Sequence, residues 1–166
     1  MNNLGVCIIC PAYSKGSPKK TVESVDVLPV EVTTFFVENH IEAAHHLAIT
    51  NDDWTLILYE WETLDKTFID AIQPMMEEQA VDAYRFCCLQ KTEDTPRIAE
   101  SIRMYRRGTA LSLTAMQPDT PGLNVLRILD GWVFEHGTRG DYCTFKRSEE
   151  APQQSAKGSE SGTDPL

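Results

Sequence analysis

Apolar and polar positions fall along this chain in blocks whose length and spacing separate strands from helices. Short runs rich in Val, Ile and aromatic residues, bounded by Pro, Gly, Asn or Asp, predict strands over 4–10, 30–37, 54–58 and 81–89, those over 4–10 and 54–58 buried. Ile41, Ala44 and Ala48 recur at helical spacing behind Asn39, which predicts a helix over 39–49 with Asn39 as its N-cap. Leu64, Phe68, Ala71, Ile72, Met75 and Met76 predict a second over 64–79, and 19–25 offers a short third. Towards the end, 102–106 and 109–115 read as two strands about a turn at Gly108. Residues 123–129 read as a strand or one helical turn, and 131–136 as a short strand. Polar loops are expected over 91–97 and 117–122.

Strands alternating with helices imply an α/β fold. The expected form is a mostly parallel sheet flanked by helices, with a few antiparallel strands near the C-terminal end. A chain of 166 residues is large enough to bury a core without staples, so one domain over 1–147 is expected. Residues 148–166 are Ser, Gly, Glu, Gln and Pro for the most part, which predicts a disordered acidic tail.

Charge narrows the partners. The formal net charge of −10 argues against a nucleic-acid partner, which needs a basic footprint. The tail holds Glu149, Glu150, Glu160 and Asp164 against Lys157, so it carries −3 and the body −7. No run reaches the roughly 20 apolar residues of a membrane span, and 4–10 lacks the length and basic lead of a signal peptide. The five cysteines lie mostly in strand-like runs. Cys7 and Cys10 have zinc-knuckle spacing, but on a strand residues three apart point to opposite faces, which predicts core thiols. The chain reads as cytoplasmic and reduced.

The strand over 54–58 ends in Tyr59-Glu60-Trp61-Glu62, two carboxylates and two aromatics at a strand's carboxyl end. In open α/β sheets that end is where ligands bind. Glu60 and Glu62 lie two apart, so on a strand they would share a face. Tyr59 and Trp61 offer rings for stacking on a base or sugar, or a cap for the core. His40, His45 and His46 do not converge on one helical face as metal ligands would. Arg97, Arg103, Arg106 and Arg107 form the positive cluster of an acidic chain, suited to a phosphate or to pairing with acids.

Several segments, in order, resemble the family 2 glycosyltransferases, inverting enzymes of GT-A fold that use nucleotide sugars. Ile8-Ile9-Cys10-Pro11-Ala12-Tyr13 is similar to the family's first strand and Pro-x-Tyr loop, and 43–49 to the helix before its central strand. Residues 51–58 resemble the approach to its metal motif, 81–86 the following strand, and Val133-Phe134-Glu135-His136 the late strand whose histidine completes the metal site. The resemblance implies a nucleoside diphosphate sugar bound near Pro11, Tyr13, Tyr59, Glu60 and Trp61. It also implies Mn²⁺ or Mg²⁺ held by Glu60, Glu62 and His136.

The chain departs from the pattern where the chemistry sits. The family's Asp-x-Asp aligns with Tyr59-Glu60-Trp61, and Glu62 matches the acid that often follows it. A hard divalent cation needs oxygen ligands that a phenol and an indole do not supply. The base-contacting Asp-Asp-Gly-Ser-like loop is missing, because Phe36-Val37-Glu38-Asn39 runs almost directly into the next helix. Two functions are therefore expected in competition. One is a glycosyltransferase-like protein that binds a nucleoside diphosphate sugar. The other is a non-catalytic descendant of the scaffold acting through a protein partner or as a homo-oligomer.

Overall fold

A computed structural model describes residues 2–90, 96–109 and 122–135. The amino-terminal half follows the apolar pattern closely. Strand β1 (Asn3–Ile9) leads to helix α1 (Lys19–Asp26), β2 (Glu31–Val37), α2 (His40–Ile49) and β3 (Trp54–Tyr59). β1 pairs in parallel with β2 on one side and β3 on the other. Asn39 caps α2, its side chain accepting from the Glu42 N–H at 2.9 Å. The Glu42 carboxylate returns to the Glu38 N–H at 2.7 Å, so the turn between β2 and α2 is held from both ends.

The two helices lie on opposite faces of this parallel unit. Val25 of α1 joins a core with Leu4, Val6, Ile8, Leu56 and Leu58. Ala43 and Leu47 of α2 join a second core with Cys7, Ile9 and Ile57. The chain thus winds one way from β1 to β2 and the other way to β3, which leaves a crevice beyond the carboxyl ends of β1 and β3. Cys7 lies in the second core and Cys10 packs against the first, so the pair faces opposite ways as its spacing predicts.

After β3 come β4 (Glu62–Leu64), α3 (Lys66–Glu77), β5 (Ala83–Gln90), β6 (Arg97–Arg106) and β7 (Val125–Glu135). Asp65 caps α3 by accepting from the Thr67 N–H at 3.2 Å. Phe68, Ile72, Met75 and Met76 seat the helix on the α1 face, so both methionines fill core as their spacing implies.

The sheet order is β2-β1-β3-β6-β5-β7-β4, and here the expected mostly parallel sheet is wrong. Three pairings are parallel, and three are antiparallel: β3 with β6, β5 with β6, and β4 with β7. Two of the antiparallel pairs, β3 with β6 and β5 with β6, stand in the middle of the sheet, and the third, β4 with β7, closes one edge. The physical reason is connection length. Only six residues join β5 to β6, enough for an antiparallel return, whereas a parallel neighbour needs a crossover of about a dozen or more. Strand occupies 44% of the described residues and helix 26%, so helices cannot flank the sheet evenly.

Of the two expected segments, residues 125–129 and 131–135 belong to one strand, β7, with a register shift after Phe86 of β5. A second shift sets Tyr84 opposite Met104 but Arg85 opposite Ile102, so Arg103 is the extra residue of a β-bulge. Gly108 takes the positive φ of 82° that the predicted turn demands. The expected strand 109–115, most of the loops 91–97 and 117–122, His136, Cys143 and the tail 148–166 lie outside the described residues. No helix among the described residues is long and apolar enough to cross a membrane.

Candidate functional site

The carboxyl ends of β1 and β3 meet at Cys10 and Glu60. The Glu60 N–H donates to the Ile9 carbonyl at 3.1 Å, continuing the parallel ladder one residue past β3. The Glu60 carbonyl accepts from the Thr21 hydroxyl at 2.8 Å, and Thr21 is wholly buried in the first turn of α1. Glu60 and Trp61 therefore form a fixed turn, and β4 begins at Glu62. The expectation that Glu60 and Glu62 share a strand face fails because the strand stops between them.

Glu62 is 1% exposed and fully engaged. Its two oxygens receive the two terminal nitrogens of Arg103, Oε1 from Nη1 at 2.7 Å and Oε2 from Nη2 at 2.8 Å. Oε1 also accepts from the Tyr59 N–H at 2.8 Å. Arg103 is itself 3% exposed, and it spends Nε on the Ser101 hydroxyl at 2.9 Å and Nη1 also on the Ile57 carbonyl at 3.2 Å. The bulge in β6 is what aims this side chain at Glu62. Burial works against the guanidinium's charge, but Glu62 outweighs it and holds Arg103 protonated. Across the ladder from Glu62 stands Glu135, also buried at 3%.

The aromatics of the corner are spent on each other. Tyr59 and Trp61 stack with ring centroids 4.7 Å apart and planes 9° from parallel. Trp61 is 3% exposed. Tyr59 is half-buried, lies 5.5 Å below the Arg103 guanidinium carbon, and shares a hydrogen bond between its hydroxyl and His40 Nε2.

Glu60 is 2% exposed and faces the other way, towards the loop after β1. Burial raises its pKa, against a hydrogen bond from the Ser14 hydroxyl that favours the charged form. Its Oε2 has no hydrogen-bond partner among the described residues. The nearby Cys10 thiol is pushed up to about 11, by burial first and by Glu60 second, which disfavours its thiolate form. Pro11 and Tyr13 sit in this loop, where the Pro11 carbonyl accepts from the Ser14 N–H at 2.9 Å. The structure thus brings the Pro-x-Tyr loop and Glu60 together and sets Glu62 apart from them.

These residues do not fit a divalent cation. Glu62 is held by a guanidinium, Glu60 points elsewhere, and His136 lies outside the described residues. Among the described residues no group of three or more His, Cys, Asp or Glu is placed to hold a metal. Of the basic cluster, Arg103 and Arg107 pair with acids, Arg107 with Asp53 at 3.1 Å. Arg106 lies 4.4 Å over the Trp54 ring and donates to the Val81 carbonyl at 2.8 Å.

Sequence reasoning missed Arg103 as the partner of Glu62, and missed Ser14 and Thr21. The signal for Arg103 is a lone charge inside the apolar run Ile102-Arg103-Met104-Tyr105, where burial demands a countercharge. A cavity of about 370 Å³, lined by residues including Asn2, Val30, Gln73 and Met76, lies at the opposite, amino end of β1 and β2. Compared with known proteins, the chain matches no family model and no curated protein.

Proposed function

We propose that this chain is a glycosyltransferase-like protein that binds a nucleoside diphosphate sugar beyond the carboxyl ends of β1 and β3, and does so without a divalent metal. The observation that carries this reading is the Glu62–Arg103 pair. The acid that matches the family's metal motif is neutralised by a buried guanidinium, which stands where the resemblance implies a cation. The crevice left by the change of winding supports a ligand at this end. A diphosphate there still needs countercharge, and Lys15, Lys19 and Lys20 are exposed along the adjoining loop and first turn of α1.

A second reading, a non-catalytic module acting through a protein partner, is favoured by the Tyr59–Trp61 stack, which leaves neither ring as an open platform. The test is a thermal-shift panel of UDP-, GDP-, dTDP- and CMP-sugars with and without Mn²⁺. A ligand at about 100 times its Kd adds about 2.7 kcal/mol to stability. The expected result is a shift with one nucleotide that Mn²⁺ does not enlarge. A shift that needs Mn²⁺ overturns the metal-free reading, and no shift with any nucleotide leaves the partner-binding module.

A further inference from the structure

The cavity of about 370 Å³ lies at the other end of the strands from the crevice, away from both Glu60 and Glu62. One wall is α3, where Gln73 and Glu77 stand one turn apart and so share a face of the helix. The other wall is the entry to β2, Val30 and Glu31. Asn2 and Met76 lie between them. Asn2 Nδ2 donates to the Met76 carbonyl at 2.6 Å, and Trp54 Nε1 donates to the same carbonyl at 3.1 Å. These bonds tie the end of α3 to the amino ends of β1 and β3, so the cavity is preformed. Its volume is that of a small-molecule site, and Glu31, Gln73 and Glu77 are exposed, so it opens to solvent.

The lining selects the sign of an occupant. Glu31 and Glu77 bring one carboxylate from each wall, and neither pairs with a cation among the described residues. The cavity also sits at the carboxyl end of α3, where aligned peptide dipoles leave partial negative charge and the last turn holds no basic residue. Arg106 donates to the Glu78 carbonyl and lies over Trp54, and it does not line the cavity. Like charges from three sources draw a cation. A divalent metal is a poor match, because among the described residues no group of three or more His, Cys, Asp or Glu is placed to hold one. Val30 and Met76 offer a hard cation nothing, but they suit an aliphatic stem. Gln73 adds an amide oxygen able to accept from an ammonium N–H.

We propose that this cavity binds a primary ammonium on an aliphatic stem, its head between Glu31 and Glu77 and its stem against Val30 and Met76. A free alkyl amine and the lysine side chain of a partner protein share this chemistry. The site is independent of the nucleotide reading.

The experiment titrates the full chain calorimetrically with 1,5-diaminopentane, n-pentylamine, Nα-acetyl-lysine amide and the neutral match 1-pentanol. The amines are expected to bind and 1-pentanol is not. Glu31→Gln and Glu77→Gln are each expected to weaken the amines by roughly three- to tenfold, between an exposed ion pair and a charge-assisted hydrogen bond. Glu23→Gln removes the same charge from an exposed position of α1 outside the cavity and is expected to change nothing. Gln73→Phe keeps both carboxylates but fills the space, and it should abolish binding. Diaminopentane binding more tightly than acetyl-lysine amide assigns the site to a free amine, and the reverse order to a partner's lysine. Failure of every amine to bind overturns the proposal, as does 1-pentanol binding as well as pentylamine. Glu23→Gln weakening the amines as much as Glu31→Gln reduces the effect to general attraction by an acidic surface and overturns it too. Gln73→Phe binding like wild type does the same. Should Gln73→Phe fail to fold, the charge variants decide between these outcomes. None of them bears on nucleotide binding, which the thermal-shift panel tests.

Discussion

Two buried carboxylates separated by one residue meet opposite fates in this corner. Glu62 receives both arms of Arg103 and a backbone N–H, whereas Glu60 Oε2 has no hydrogen-bond partner among the described residues. Neither sequence spacing nor burial distinguishes them. What does is the strand that each faces: Glu62 meets the bulged β6, and Glu60 the loop after β1. A buried charge is tolerated when its partner is built into the fold, and without one it costs stability.

Breaking the matched side is expected to have the largest effect. Arg103→Leu leaves Glu62 buried and unpaired, which should cost about 3–5 kcal/mol in urea unfolding. The double variant Arg103→Leu with Glu62→Met should recover most of that loss, because removing both charges also removes both desolvation costs. Equal losses in the single and double variants would mean that the pair is not what holds the corner. A smaller effect is expected from pH on the unmatched side. The folded-state pKa of Glu60 lies above its ordinary value of 4.5, so the folded state holds the proton more tightly than the unfolded chain. The stability this gives is fully present below the ordinary value and is lost as pH rises through the raised one. Comparing urea midpoints of wild type and Glu60→Gln over that window should show the variant losing less. The smallest effect is expected from Tyr59→Phe, which removes the bond to His40 but keeps the stack on Trp61. About 0.5 kcal/mol should go in the same unfolding assay, with nucleotide binding unchanged.

The sequence was most legible where local pattern and tertiary contact agree. β1, β2, α2, β3 and α3 lie within a few residues of their expected bounds, and all but the edge strand β2 bury one stripe or one unbroken run. The direction of β6 was not legible. Its slot between β3 and β5 depends on pairings that local periodicity does not encode. The site divides the same way. Pro11, Tyr13, Tyr59, Glu60 and Trp61 were grouped by the family resemblance, whereas the pairing of Glu62 with Arg103 crosses 41 residues and depends on a one-residue bulge. Tyr59 and Trp61 were equally readable as ligand platform or core cap, and the structure shows Trp61 buried and stacked on Tyr59.

The position of β2 at the sheet's rim has a consequence for how copies of this protein behave in company. Its seven residues, Glu31 to Val37, carry no proline, lysine or bulge, and Phe36 projects with 57% of its surface exposed. Among the described residues nothing pairs with its outer side, so it presents unsatisfied backbone groups on which another strand can template. What opposes that encounter is collective charge: exposed Glu31 and Glu38 bracket the strand, on a molecule carrying −10 overall. Colloidal stability here is therefore a property of the solvent as much as of the fold. Salt that shortens the reach of that repulsion lowers the barrier and leaves the buried Glu62–Arg103 pair in place, whereas acid that neutralises it also protonates carboxylates that cap α3 and pair with arginines.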